Sequence, residues 1–163
     1  MRTPADSTEA TGALPAFAAR AGDLGGAALE IPALRAYLVE DNRVVRENLI
    51  AALEELAPLR VVGSAADERV ALDWLSDDVQ DCDLMIIDIF LHSGSGLGVL
   101  AAARARRPEA AIVVLSNYAT AGMRAHCLAS GADRVFDKSR DIELLVGYCT
   151  TLAARGSGGA GAH

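Results

Sequence analysis

Two segments of this chain, "LMIID" at Leu84–Asp88 and "AIVVLS" at Ala111–Ser116, are apolar from end to end except for a final polar residue. A strand with one wet face alternates apolar and polar side chains. A strand that is apolar throughout must be covered on both faces, which is the situation of a parallel sheet between two layers of helices. Further strand candidates fall at Leu34–Val39, Leu59–Gly63 and Arg134–Phe136, and a helical period follows each of the five. The helices expected are Arg43–Ala57, Asp67–Asp78, Leu97–Arg107, Ala121–Ser130 and Asp141–Ala154. Asp67 suits an N-cap, Pro108 stops the third helix and Gly131 suits a C-cap. Right-handed crossovers then give a doubly wound, five-stranded parallel α/β sheet with helices on both faces.

The flanks read differently. Residues 1–32 are rich in Ala, Gly, Thr and Pro and are expected to form a flexible N-terminal extension, with a short helix around Ala16–Ala21. The folded domain is expected over 33–155, and "GSGGAGAH" at 156–163 reads as a flexible Gly-rich tail, with no output domain following. Hydrophobic residues are 52% of the chain but aromatics only 4%, so the core must be aliphatic and Ala-rich. A net charge of -7 argues against a nucleic-acid surface, which needs a basic face, so direct nucleic-acid binding is not expected. Cys82, Cys127 and Cys149 are odd in number and far apart, which fits free thiols in a reducing compartment. The N-terminus lacks the apolar core of a signal peptide, and no run approaches the ~18 apolar residues of a membrane span. A soluble, cytoplasmic protein is expected.

In a doubly wound sheet the site lies at the carboxyl ends of the strands. The first strand ends on Glu40-Asp41, the third on Asp88 and the fourth on Ser116-Asn117, while Lys138 follows the fifth. Taken singly, each has an ordinary explanation: an Asp after a strand is most often a turn residue, a lone Lys a solvated charge, a Ser a helix cap. Together, three acids, a hydroxyl and an amine converge on one rim. Close carboxylates repel unless a cation or hydrogen bonds offset them. The pair at Glu40-Asp41 is therefore either a solvated loop start or faces something positive. A hard cation such as Mg²⁺ would supply that charge, since it takes oxygen ligands and pairs with phosphate. A carboxylate beside Mg²⁺ and an ammonium can attack a phosphoryl group, giving an aspartyl phosphate. No GxxxxGK[ST] loop is present, so ATP is not the obvious donor.

At these residues the chain resembles the receiver domains of bacterial two-component response regulators, over roughly Leu34–Leu152. The acid pair matches Glu40-Asp41, the phosphoacceptor Asp88, the glycine eight residues later Gly96, the switch hydroxyl Ser116, the "GAD" turn Gly131-Ala132-Asp133 and the lysine Lys138. The resemblance implies a flavodoxin-like strand order 2-1-3-4-5. It implies Mg²⁺ held by Asp41, Asp88 and the backbone carbonyl of Phe90, with Glu40 acting largely through water. It implies a histidine kinase or histidine phosphotransfer protein as donor. It also implies a helix 4–strand 5–helix 5 face that binds a protein target or dimerises.

Several positions depart from that pattern. His92 stands where the family usually has Pro, and Ser139 stands where Pro usually follows the lysine. The switch aromatic usually lies three residues before the lysine; here that residue is Val135, with Phe136 next to it. Tyr118 either substitutes for the ring or lies in solvent. Asn117, Phe90 and Tyr118 together are expected to narrow water's access to the phosphate. The leading expectation is a phosphoacceptor switch that catalyses only its own phosphorylation and dephosphorylation. One alternative is a receiver-like binding module that works without phosphorylation. Another is a Mg²⁺-dependent phosphohydrolase with Asp88 as nucleophile, against which Phe90 counts, because such enzymes commonly carry an acid two residues after the nucleophile.

Overall fold

The computed structural model describes residues 32–162 of the 163. Apart from Pro32, the extension expected over 1–32, with its helix around Ala16–Ala21, lies outside the described residues. Among the described residues, five strands alternate with five helices: β1 Leu34–Val39, α1 Arg43–Leu56, β2 Leu59–Ala65, α2 Glu68–Leu75, β3 Leu84–Ile87, α3 Gly96–Arg106, β4 Ala111–Ser116, α4 Ala121–Ala129, β5 Arg134–Asp137 and α5 Ile142–Ala162. All pairings are parallel, and the order is β2-β1-β3-β4-β5, as the resemblance implied.

Successive strand residues point to opposite faces, so each apolar strand feeds two cores. Tyr37, Val39, Met85, Ile87, Ile112, Val114 and Val135 pack with Leu75 of α2, Val99 and Leu100 of α3 and Cys127 of α4. Ala36, Leu38, Leu84, Ile86, Val113, Leu115 and Phe136 pack with Leu49 and Leu53 of α1 and Leu145 and Cys149 of α5. Tyr37 stacks on Trp74 with ring centroids 4.0 Å apart. Gly63 makes room for that ring, since a Cβ there would lie 2.9 Å from Tyr37 Cε1.

Element ends differ from expectation for local reasons. The edge strand β2 continues past Gly63 to Ala65, and the exposed Ser64 is part of its outward alternation. Helix α2 stops at Leu75 rather than Asp78, because the Ser76 hydroxyl donates back to the Asp73 carbonyl at 2.8 Å and competes with the helical ladder. The β3 ladder ends at Ile87, leaving Asp88 just beyond it. The largest correction concerns α5, which runs to Ala162 through the segment from Gly156 expected to be a flexible tail. Extending a formed helix needs no new nucleus, and Leu145, Cys149 and Ala153 anchor the part that is buried.

Candidate functional site

Strand register builds the site. Val39 pairs with Ile87, so the residues after β1 and β3 emerge side by side, and the Asp88 N–H bonds the Val39 carbonyl at 3.0 Å. Ser116 pairs with Asp137, and the Lys138 N–H bonds the Ser116 carbonyl at 3.0 Å, which brings the lysine over the same rim. Glu40, Asp41, Asp88 and Lys138 line one open cleft with Phe90, His92, Asn117 and Tyr118.

The Lys138 ammonium sits between two acids. It bonds Glu40 Oε1 and, at 2.9 Å, Asp88 Oδ2. Glu40 is 2% exposed. Burial pushes its carboxyl above the ordinary value against the opposing pull of Lys138 and the Asn42 amide. Burial also pulls the Lys138 ammonium down, but its bonds to Glu40 and Asp88 outweigh this and raise it. The second Glu40 oxygen accepts from the Asn42 N–H at 3.0 Å, and Arg46 holds the Glu40 carbonyl at 2.7 Å. Asp88 Oδ1 accepts from the Phe90 N–H at 3.1 Å, which leaves its lone pairs turned toward the cleft only in part committed.

Asp41 is held from the loop after β3. Its Oδ2 accepts from the His92 N–H at 2.7 Å and contacts His92 Nδ1. Burial alone would raise this carboxyl; the His92 amide and ring hold it below the ordinary range instead. Among the described residues, Glu40, Asp41 and Asp88 each offer an oxygen, and the three oxygens lie within 4.8 Å of one another. An all-oxygen donor set at that spacing fits a hard divalent cation.

The remaining expected residues fall in different places. Ser116 is fully buried and does not line the cleft; its Oγ accepts from the Tyr118 N–H at 3.1 Å. Val135 faces the α2–α3–α4 core, whereas Phe136 faces the other core, 5.9 Å from the Tyr148 ring. Phe136 therefore lies across the sheet from Val135. Tyr118 is 64% exposed and meets Phe90 edge to face at 5.2 Å, roofing the cleft rather than entering the β5 core. Ser139 shapes the lysine loop: its N–H and hydroxyl both donate to Asp137 Oδ1, at 2.8 and 2.6 Å. Those two donors hold the Asp137 carboxyl below its ordinary range.

Three contributors, Asn42, Arg46 and Arg124, were not picked out from sequence, and His92 was noted only as a departure from the family's Pro. Asn42 caps α1 and braces Glu40, and Arg46 braces the Glu40 backbone. Asn before an apolar helical period is a cap signal that was available. His92 looked like a plain loop residue, and nothing local marks it as a partner of Asp41, 51 positions away. Arg124 of α4 donates to the Ala119 carbonyl at 3.0 Å and the Val135 carbonyl at 2.8 Å, and reaches Asp141 at 3.4 Å. It ties the β4–α4 loop to β5 and to the start of α5.

A doubly wound domain with three acids and a lysine on its carboxyl rim is the architecture of a receiver. The chain belongs to that family: the model described as "Response regulator receiver domain" matches residues 36–149. It is 32% identical over 116 residues to a protein-glutamate methylesterase/protein-glutamine glutaminase of Azospirillum brasilense, covering 70% of this chain and 29% of that protein. It is 28% identical over 108 residues to a cyclic di-GMP phosphodiesterase of Thermotoga maritima, covering 66% of this chain and 28% of that one. The chain thus spans less than a third of these relatives' length. Among solved structures it is similar to the signal receiver domain of the NarL response regulator from Mycobacterium tuberculosis, with a TM-score of 0.65 and 22% identity over 76% of this chain and 98% of that one. It is also similar to a Burkholderia pseudomallei response regulator solved with a phosphorylated aspartic acid and a calcium ion, with a TM-score of 0.62 and 23% identity over 78% and 72% of the two chains. No helix among the described residues is long and apolar enough to cross a membrane.

Proposed function

We propose that this receiver is a phosphoacceptor switch of a two-component system, taking a phosphoryl group from a phosphohistidine of a histidine kinase or phosphotransfer protein onto Asp88. The observation that carries this is Lys138 bridging Glu40 and Asp88 beside Asp41, a rim in which one acid is poised and the others are braced. An Asp88 oxygen attacks phosphorus, the P–N bond to the donor histidine breaks, and the imidazole leaves with the bonding pair and takes up a proton. The product is an aspartyl phosphate. Asp41, Asp88 and the Phe90 carbonyl would hold Mg²⁺, with Glu40 acting through water. When bound, Mg²⁺ would neutralise the acids and offset charge on the transferring oxygens. Lys138 holds a phosphoryl oxygen while staying on Glu40. That the Burkholderia pseudomallei response regulator carries a phosphorylated aspartic acid and a calcium ion supports an aspartyl acceptor in a chain of this fold.

Ser116 Oγ accepts from the Tyr118 N–H and keeps its own hydrogen for a phosphoryl oxygen, so turning toward that oxygen draws the β4–α4 loop with it. That movement pulls on Ala119, which Arg124 holds, and so on β5 and α5. The α4–β5–α5 face then changes for a protein target or a second copy, with no ring at Val135 needed. The chain catalyses only its own phosphorylation and dephosphorylation. Phe90 supplies no proton, so the phosphohydrolase reading lacks its second acid.

Incubation with acetyl phosphate and Mg²⁺, followed by intact mass, tests the proposal. One phosphoryl adduct is expected on wild type, none with excess EDTA and none on Asp88→Asn. No adduct on wild type would favour the phosphorylation-independent module, for which Val135 and the His92–Asp41 contact are the motivating observations.

A further inference from the structure

The sequence "SGSGLG" at 93–98 holds three glycines, of which only Gly96 had an expected role. In the structure a Cβ on Gly96 would lie 2.0 Å from the Asp88 carbonyl oxygen, so this glycine lets α3 start against the acceptor backbone. The other two face something else. A Cβ on Gly94 would lie 2.5 Å from Glu68 Cβ, and one on Gly98 would lie 2.0 Å from Glu68 Oε2. Gly94 also has φ +84°, a conformation that L side chains rarely adopt. Two glycines therefore clear space for one glutamate from another helix.

Glu68 fills that space with specific bonds. It is the first residue of α2 and is half-buried. Its Oε1 accepts from the Ser95 N–H at 2.9 Å, and its own N–H donates to the Ser93 carbonyl at 3.3 Å. Ser95 is the N-cap of α3, its side chain accepting from Leu97. The next residue, Gly96, donates to the Ile89 carbonyl at 3.0 Å, one residue from Asp88 and one from Phe90. A continuous run of short contacts thus joins Glu68 to the acceptor.

We infer that Glu68 is a positioning residue for phosphoryl transfer, seated by Gly94, Ser95 and Gly98 so that the loop from Asp88 to Ser95 holds its acceptor and its Phe90 carbonyl in place. The inference rests on the proposed acceptor role of Asp88. Glu68 touches neither the phosphoryl group nor Asp88 and acts only through the loop. A carboxylate at a helix start is also favoured by the α3 dipole, but that alone explains neither glycine.

The test uses the full chain as wild type, Glu68→Ala, Glu68→Gln and Gly98→Ala. Hydrogen exchange of the loop amides and the rate of adduct formation across acetyl phosphate concentrations are both read. Glu68→Ala is expected to speed exchange over Phe90–Gly96 and to slow phosphorylation at saturating acetyl phosphate, each about five- to tenfold, the share of one hydrogen bond. The half-saturating concentration of acetyl phosphate stays unchanged. Glu68→Gln, which keeps an oxygen for Ser95, stays within about twofold of wild type. Gly98→Ala, which displaces Oε2, follows Glu68→Ala and stands in for it if that variant fails to fold. Unchanged loop exchange in Glu68→Ala and Gly98→Ala overturns the seat. Faster exchange with an unchanged phosphorylation rate overturns the positioning role. If wild type takes no phosphoryl group, the acceptor reading fails instead, and exchange alone decides whether Glu68 holds the loop.

Discussion

Lys138→Met is expected to lower the thermal midpoint in EDTA by about 10 °C, corresponding to a loss of about 3 kcal/mol. The lysine side chain is 12% exposed and bridges two acids that are themselves almost covered. Methionine keeps an unbranched apolar stem as far as Cε but lacks the ammonium, leaving the oxygens of Glu40, Asp41 and Asp88 within 4.8 Å of each other without it. Breaking a buried pair by removing one partner leaves the other charge desolvated and unpaired, which costs about 3–5 kcal/mol. The open cleft admits some water, so the lower end applies. Mg²⁺ should recover more stability in Lys138→Met than in wild type, because it meets a more negative rim. Phosphorylation should slow about 100-fold, since the variant lacks one of the two charges that meet the transferring oxygens. Differential scanning fluorimetry in EDTA and in Mg²⁺ reads the stability effect. A midpoint within about 2 °C of wild type in EDTA would mean that Lys138 does not hold the acids together.

The second large effect concerns how long the phosphoryl group lasts. Asn117 and Tyr118 stand on the β4–α4 side of the cleft and Phe90 on the acceptor loop, all lining it with Asp88. The Phe90 and Tyr118 rings meet edge to face at 5.2 Å on the cleft that Asp88 lines. Water must reach the aspartyl phosphate in line to hydrolyse it, and covering a reactive intermediate suppresses that side reaction. Slow self-dephosphorylation is therefore expected for wild type. The double variant Asn117→Ala, Tyr118→Ala should lose phosphate about tenfold faster, a barrier difference of ~1.4 kcal/mol. Following the adduct by mass after removal of acetyl phosphate gives both rates. Fast loss from wild type, unchanged in the double variant, would show that this aromatic cover is not what limits water.

The fold was legible because its strongest signal is one of burial. Strands such as Met85-Ile86-Ile87 carry apolar side chains to both faces, and only a sheet covered twice can bury them. The rim was legible for a related reason: a charged residue directly after such a strand has one place to go. What escaped notice depends on contacts distant in sequence. Glu68 and Gly98 meet across two helices, and His92 meets Asp41 across 51 positions. Arg124 looks like a surface residue of α4 until its three partners are known. The opposite facing of Val135 and Phe136 could have been read from the strand's period of two. The helical course of α5 beyond Ala154 could not, because glycine's intrinsic preference points the other way.

The most direct test is to locate the phosphoryl group. After brief phosphorylation with acetyl phosphate and Mg²⁺, borohydride reduction converts an aspartyl phosphate to homoserine, which peptide mass mapping places by residue. The account predicts homoserine at Asp88 alone, with Glu40 and Asp41 unreacted. Reduction at Asp41 or Glu40 in place of Asp88, or no reduced residue on a chain that carries a phosphoryl adduct, would contradict it.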